Sequence, residues 1–355
     1  MDRALVLAGA GSLGPATAER LAAAGWGVTL GVQAHGQPAV ATPGIAVVPL
    51  DSRRPDNLVE AIGAGVDALI DLTSRTAADA QRVLRLEGRL GAVIALSTAS
   101  VYTDHHERVL GERFQHLLSF PELPVPVRED QPVVSPANQN YAARKIAMER
   151  LYLQASRVPV TILRPRAIQG PGVTKPIEWH FLKRMLDRRP VIIHAFRGEN
   201  AFHTASLANV SQLIRLAAER PGTRVLNCAD PDAPTPRDVT RAVATAVGVE
   251  ATELLLPGPP PAPGVGDTPC TLPRPFVLDL TAVERELGYR PVTTYVESVA
   301  ETCTWLRRIT KDRDWRAALP QLAHDSGAFD YVAEDTALAR LSGLTPQPSM
   351  QGSAV

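Results

Sequence analysis

Short apolar runs separated by amphipathic stretches recur from the start of the chain. Arg3 to Ala8, Val28 to Val32, Ile45 to Leu50, Ala68 to Leu72 and Ala92 to Leu96 show little polar alternation, which predicts strands covered on both faces. Helical periodicity fills most of the gaps between them. Strands alternating with helices predict an α/β protein with a doubly wound parallel sheet, whose ligands collect at the carboxyl ends of the strands.

The first strand runs into Gly9-Ala10-Gly11-Ser12-Leu13-Gly14 and then into a helical stretch from Pro15 to Ala24. Glycines let a backbone approach a pyrophosphate, and a helix N-terminus offers free N–H groups and partial positive charge. Strand, glycine turn and helix in this order predict a Rossmann-type dinucleotide site. Its contacts are expected from Gly9, Gly11, Ser12, Leu13 and Gly14, and from Gln33, Asp51, Ser52, Leu72 and Thr73 at later strand ends. Asp51 reads equally as an adenine contact or as a helix-capping turn residue. The second strand is followed by Gly31-Val32-Gln33-Ala34-His35-Gly36, with no carboxylate for the adenosine ribose hydroxyls, and this tilts the expected cofactor from NAD toward NADP. Gln33, His35 and Arg53 are candidate contacts at that end.

Lys145, one of four lysines, follows Tyr141 by four positions. Positions i and i+4 share a helical face, so an ammonium there can favour the phenolate and make a proton-transfer group.

These residues resemble the extended short-chain dehydrogenases/reductases, the NAD(P)-dependent epimerase/dehydratase group, over roughly residues 3–305. Leu7 to Gly14 is similar to the TGxxGxxG turn, with Leu7 and Ala8 in place of Thr-Gly. Val93 to Tyr102 resembles a strand ending in SSxSVYG, which implies a catalytic hydroxyl at Thr98. Glu129-Asp130 and Pro132 to Lys145 resemble the segment leading to YxxxK, and Thr161 to Gly172 resembles TILRPxNVYGPG. Val225-Leu226-Asn227, Asp279 to Pro291 and Trp305 match later signposts. The resemblance implies a triad of Thr98, Tyr141 and Lys145, with Tyr141 exchanging a proton as hydride passes to or from the nicotinamide. It also implies cofactor contacts from Tyr141, Lys145, Pro165 and Ile168, and substrate contacts from Ser100, Tyr102, Gln169, Arg197 and His203. Read alone, Thr98 is also an ordinary strand-end hydroxyl, and His203 suits a structural role.

Two departures narrow the reaction. Ala99 and Ser100 stand where 4,6-dehydratases of this group carry an Asp-Glu pair, which argues against that elimination. Glu199 falls where many nucleotide-sugar enzymes place a diphosphate-clasping arginine, with Arg197 two residues earlier as a substitute.

The expected organisation is a Rossmann domain over 1–170, a smaller substrate-binding lobe mostly within 171–305, and a C-terminal extension over 306–355 with a mobile tail. Thirty-seven basic and 37 acidic residues cancel, which removes any electrostatic case for nucleic acid or a membrane surface. No apolar segment suits a membrane span, so a cytoplasmic location is expected. Cys228, Cys270 and Cys303 are widely spaced and suit reduced buried thiols. His105-His106-Glu107 reads as a solvated loop, and no metal is expected. Residues 103–128 predict a flap, and the proline-rich 256–275 segment reads as a lid or as a connector.

The function expected is hydride transfer, as an epimerase or oxidoreductase, at a secondary alcohol or ketone of a sugar-like or natural-product small molecule, in a homodimer. Alternatives are an NADPH-dependent ketone or aldehyde reductase and a catalytically silent dinucleotide-binding regulator, the latter opposed by the retained Thr98, Tyr141 and Lys145.

Overall fold

The computed structural model describes residues 1–9, 11–33, 43–51, 54–111, 119–138, 140–324 and 329–341. Strands β1 (Arg3–Ala8), β2 (Gly27–Val32), β3 (Ile45–Pro49), β4 (Ala68–Asp71), β5 (Val93–Leu96) and β6 (Val160–Pro165) are interleaved with helices α1 (Leu13–Ala23), α2 (Pro55–Ile62), α3 (Ala77–Leu84) and α4 (Tyr141–Leu153). The second half contributes β7 (Ile168–Gln169), α5 (Glu178–Leu186), β8 (Ile192–His194), β9 (Ala205–Ser206), α6 (Leu207–Glu219), β10 (Arg224–Cys228), α7 (Pro236–Val247), β11 (Glu253–Leu255), α8 (Thr281–Leu287) and α9 (Tyr295–Thr310). Three further helices follow, α10 (Trp315–Ala318), α11 (Pro320–Ala323) and α12 (Tyr331–Leu341).

The main sheet has seven strands in the order β10-β6-β5-β4-β1-β2-β3, all parallel, as the alternation predicts. Chain direction across the sheet reverses between β1 and β4, which opens a crevice at their carboxyl ends. Why β1 is apolar throughout is visible in its packing. Ala4, Val6 and Ala8 enter a core with α1, α6 and α8, while Leu5 and Leu7 enter the opposite core with α2, α3 and α4. A strand buried on both faces has no solvent side to mark with polar residues.

A third core is built by α5, α7 and α9 with Trp179, Phe181, Phe202 and Phe276, joined by Ala99 and Tyr102 from the end of β5. The proline-rich stretch is tied to this lobe: β11 pairs with β8, and Phe196 and Arg197 donate backbone N–H groups to the carbonyls of Gly258 and Leu256. The C-terminal helices clasp the lobe as well. Glu334 of α12 pairs with Arg184 of α5, both buried, and Arg189 lies 4.5 Å over the Tyr331 ring. Cys228, Cys270 and Cys303 are free and buried. Among the described residues no helix is long and apolar enough to cross a membrane, and no cluster of metal-ligating side chains is found. The tail after Leu341 lies outside the described residues, as do 112–118 of the expected flap.

Candidate active site

Helix α4 carries the tyrosine and lysine, and a stripe along it explains where they point. Asn140 caps the helix by accepting from the Ala143 N–H at 2.8 Å, which places Tyr141 at the first helical position with 38% of its surface exposed. Lys145, Glu149 and Tyr152 follow at intervals of four, four and three, so they share a face. All three are buried against the ends of β4, β5 and β6.

Lys145 Nζ donates to the carbonyl of Leu96 at 2.6 Å and to that of Ser74 at 2.8 Å. Leu96 ends β5 two residues before Thr98, so this bond brings the lysine beneath the strand end that carries the threonine. Ser74 is held in place from α4 itself. Asp71 Oδ1 accepts from the Thr73 N–H, the Thr73 hydroxyl and the Ser74 N–H, while its Oδ2 accepts from the Tyr152 hydroxyl at 2.5 Å. Glu149 accepts from the Ser97 hydroxyl and pairs with Arg164 at 2.6 Å. The helix is therefore pinned to three strand ends at once. Burial lowers the Lys145 pKa to about 8, against the pull of the Asp71 and Glu149 carboxylates. Thr98 Oγ1 accepts from the Ser100 N–H at 3.2 Å and opens the short 3₁₀ turn Ala99–Val101.

The glycine turn separates into two kinds of position. A Cβ on Gly14 would lie 2.3 Å from the Cβ of Ala8, so the third glycine is required for α1 to pack on β1. A Cβ on Gly9 or Gly11 would meet nothing within 4 Å among the described residues. No described neighbour demands glycine there, whereas a ligand lying against the backbone does. The Ser12 side chain makes no cap for α1. The turn and helix thus fit the pyrophosphate of a dinucleotide, with Leu72 and Thr73 across the crevice at the end of β4. Gly172, at φ +85°, closes over this end: a Cβ on it would lie 1.8 Å from Ser12 Oγ. Pro165 ends β6 and Ile168 opens β7, in the segment that leads to this closure. Gln33 and Asp51 follow β2 and β3, while Ser52, His35 and Arg53 lie outside the described residues. A cavity of about 860 Å³ opens between α1, α6 and α9. Ser12 reaches its rim, but Thr98, Tyr141 and Lys145 do not line it, so chemistry and not size locates the candidate site.

The expected substrate contacts divide. Ser100 stays partly exposed beside Thr98. Arg197 is exposed and paired with Glu199 at 3.1 Å. Three others make their hydrogen bonds inside the protein. Tyr102 is buried and donates to Asn227 Oδ1 at 2.6 Å. Gln169 is buried between Asp230 and Ser298. His203 uses both ring nitrogens: Nδ1 accepts from the Leu278 N–H at 3.0 Å, and Nε2 faces the Asp230 carbonyl at 2.7 Å, so Nε2 carries the proton. Burial pushes this imidazole below its ordinary pKa.

Sequence reading passed over the anchors Asp71, Glu149, Tyr152 and Arg164, although continuing the four-residue spacing from Lys145 points to Glu149. It also passed over Arg166, just beyond β6, whose guanidinium stacks 5.1 Å from the Phe202 ring and 5.7 Å from the Phe276 ring.

Comparison with known proteins agrees with this architecture. A putative epimerase from Burkholderia cenocepacia is similar with a TM-score of 0.66 and 22% identity, over 86% of this chain and 98% of that one. A UDP-galactose 4-epimerase gives 0.62 and 19%, over 86% and 99%. A dTDP-glucose 4,6-dehydratase from Bacillus anthracis, in complex with NAD, gives 0.65 and 15%, over 88% and 98%. At these identities the likeness is one of fold. A comparison with curated proteins gives no match. The sequence profile of the NAD dependent epimerase/dehydratase family matches residues 4–194, more than half of the chain, and with the glycine turn and the pinned α4 in view the chain belongs to that family.

Proposed function

We propose that this protein catalyses hydride transfer at a secondary carbinol or ketone of a sugar-like substrate, in the manner of an epimerase, with Tyr141 exchanging the proton. The observation that carries this reading is Lys145, buried and bonded to the carbonyls of Ser74 and Leu96 below Thr98, one helical turn from a tyrosine that keeps part of its surface open. A bound nicotinamide would supply the hydride acceptor and donor. Gly9, Gly11 and the N-terminus of α1 would hold its pyrophosphate, and Leu72 and Thr73 would line the crevice beside it. The Tyr141 phenolate would take the carbinol proton, becoming the hydroxyl, and Thr98 would hydrogen-bond the same oxygen. The Lys145 charge, held at short range by carbonyls and not neutralised by a directly bonded carboxylate, would favour the phenolate.

Bound NAD in several structural neighbours supports a nicotinamide dinucleotide without favouring its 2′-phosphate form. Small residues at Ala99 and Ser100 support epimerisation or simple oxidoreduction over 4,6-dehydration, which needs an acid pair there. The test is reduction of enzyme-loaded NAD⁺ by a panel of sugar nucleotides and free sugars, followed by nicotinamide absorbance. Tyr141→Phe is expected to slow the reaction by about 10³-fold with NAD⁺ affinity retained. A variant that reduces cofactor as fast as wild type would overturn the assignment.

A further inference from the structure

Two arginines stand two residues apart at the end of β6 and differ in their partners. Arg164 forms a bidentate pair with Glu149, which outweighs burial and holds the guanidinium above its ordinary pKa. Arg166 has no hydrogen-bond or ion-pair partner among the described residues, and its Nε is fully enclosed. Burial alone, with no carboxylate bearing on it, lowers its pKa to about 10. Only its Nε–H is shut off from water without an acceptor; the side chain as a whole stays partly exposed, so its terminal N–H groups remain within reach of a ligand.

Its position indicates what those terminal groups would meet. Leu96 is in register with Leu163, and the Ser97 N–H donates to the Leu163 carbonyl, so the chain passes Arg166 just beyond the level of Thr98. Phe202 and Phe276, on which Arg166 stacks, pack in one apolar cluster with Ala99, the residue after Thr98. Stacking uses the faces of the guanidinium and fixes its plane. The four N–H groups on the two Nη atoms are left for a ligand. Arg197, the sequence candidate for an anion contact, is exposed and paired with Glu199.

We propose that Arg166 is the anion-binding residue of the substrate pocket, receiving through its N–H edge a carboxylate or phosphate carried by the sugar-like substrate. The inference rests on the hydride-transfer reading of the neighbouring site and sharpens its substrate class to an anionic sugar. Sugar carboxylates and sugar phosphates share the oxyanion chemistry, and the experiment separates them.

NAD⁺-loaded protein is titrated calorimetrically with glucuronate, glucose 1-phosphate and, as neutral control, glucose. One of the two anions is expected to bind at least about tenfold tighter than glucose, and Arg166→Gln to lose at least about tenfold of that affinity while glucose and NAD⁺ binding are kept. Arg166→Lys, which keeps the charge without the fork, should fall between the two. The better of the two anions identifies the group. Wild type that prefers neither anion to glucose overturns the proposal, as does an Arg166→Gln variant that binds the anion like wild type. Should Arg166→Gln not fold, Arg166→Lys decides: weaker anion binding with glucose unchanged upholds the role, and undiminished binding overturns it. Failure of wild type to bind NAD⁺ would instead strike the hydride-transfer reading, so the two failures are distinguishable.

Discussion

The crevice at the ends of β1, β4 and β5 and the interior of the C-terminal lobe are both rich in polar groups, but they use them oppositely. At the crevice, Gly9 and Gly11 have no described side chain over them, and Tyr141 keeps over a third of its surface exposed. In the lobe polar groups are consumed. Asp230 accepts from the Thr204 hydroxyl and Ser206 N–H at 2.7 Å, from Asn209 Nδ2 at 2.8 Å and from Gln169 Nε2 at 3.3 Å, all in the interior. Glycine-turn positions that no described group covers are a better guide to ligand contact than a polar residue in a matching segment. Gln169 and His203 occupy such segments, yet hold the lobe together.

The largest expected effect tests the consumed side. Asp230→Ala leaves four buried donors without an acceptor and should cost about 4 kcal/mol in urea unfolding. A loss below about 1 kcal/mol would mean that the hub does not organise the lobe. Next, the glycine turn should split in two. Gly14→Val drives a branched side chain into Ala8 and should destabilise the protein by about 3 kcal/mol, whereas Gly11→Val should leave unfolding within about 1 kcal/mol and weaken NAD⁺ by more than about tenfold. Equal effects of the two variants on stability would erase the distinction.

A more gradual effect is in pH dependence. Glu178 on α5 is fully buried, and burial raises its pKa from 4.5 to about 7, with the nearby Tyr295 hydroxyl offsetting only part of the rise. A raised folded-state pKa means that the native protein holds a proton the unfolded chain releases. The associated stability is complete below pH 4.5 and is lost as pH rises through about 7, a decline of up to about 3 kcal/mol. Glu178→Gln should flatten that slope, and an unchanged slope would remove Glu178 as its source.

The same contrast governs what was legible in the sequence. The sheet could be read because apolar runs such as Arg3–Ala8 record double-sided burial locally, and Gly9 to Gly14 and Tyr141-Lys145 carry their spacing within a few residues. The local spacing did not disclose what the open groups work against. Lys145 depends on Ser74, 71 positions away, and Tyr102 on Asn227, 125 away. Nothing local distinguishes a tyrosine that caps an asparagine in the core from one that meets a substrate. Arg164 and Arg166 make the point most closely, since the same residue type in the same segment is paired in one case and unpartnered in the other.

The clasp between α5 and α12 bears on how this chain leaves the ribosome. Arg184 and Glu334 are 150 positions apart, and both are buried. During synthesis the lobe's helix emerges long before its carboxylate, so the aromatic and cationic surface around Lys183, Arg184 and Arg189 is completed only once α12 has emerged. A premature stop ahead of residue 331 would thus yield a nascent product with an intact nucleotide crevice and an unfinished, adhesive lobe.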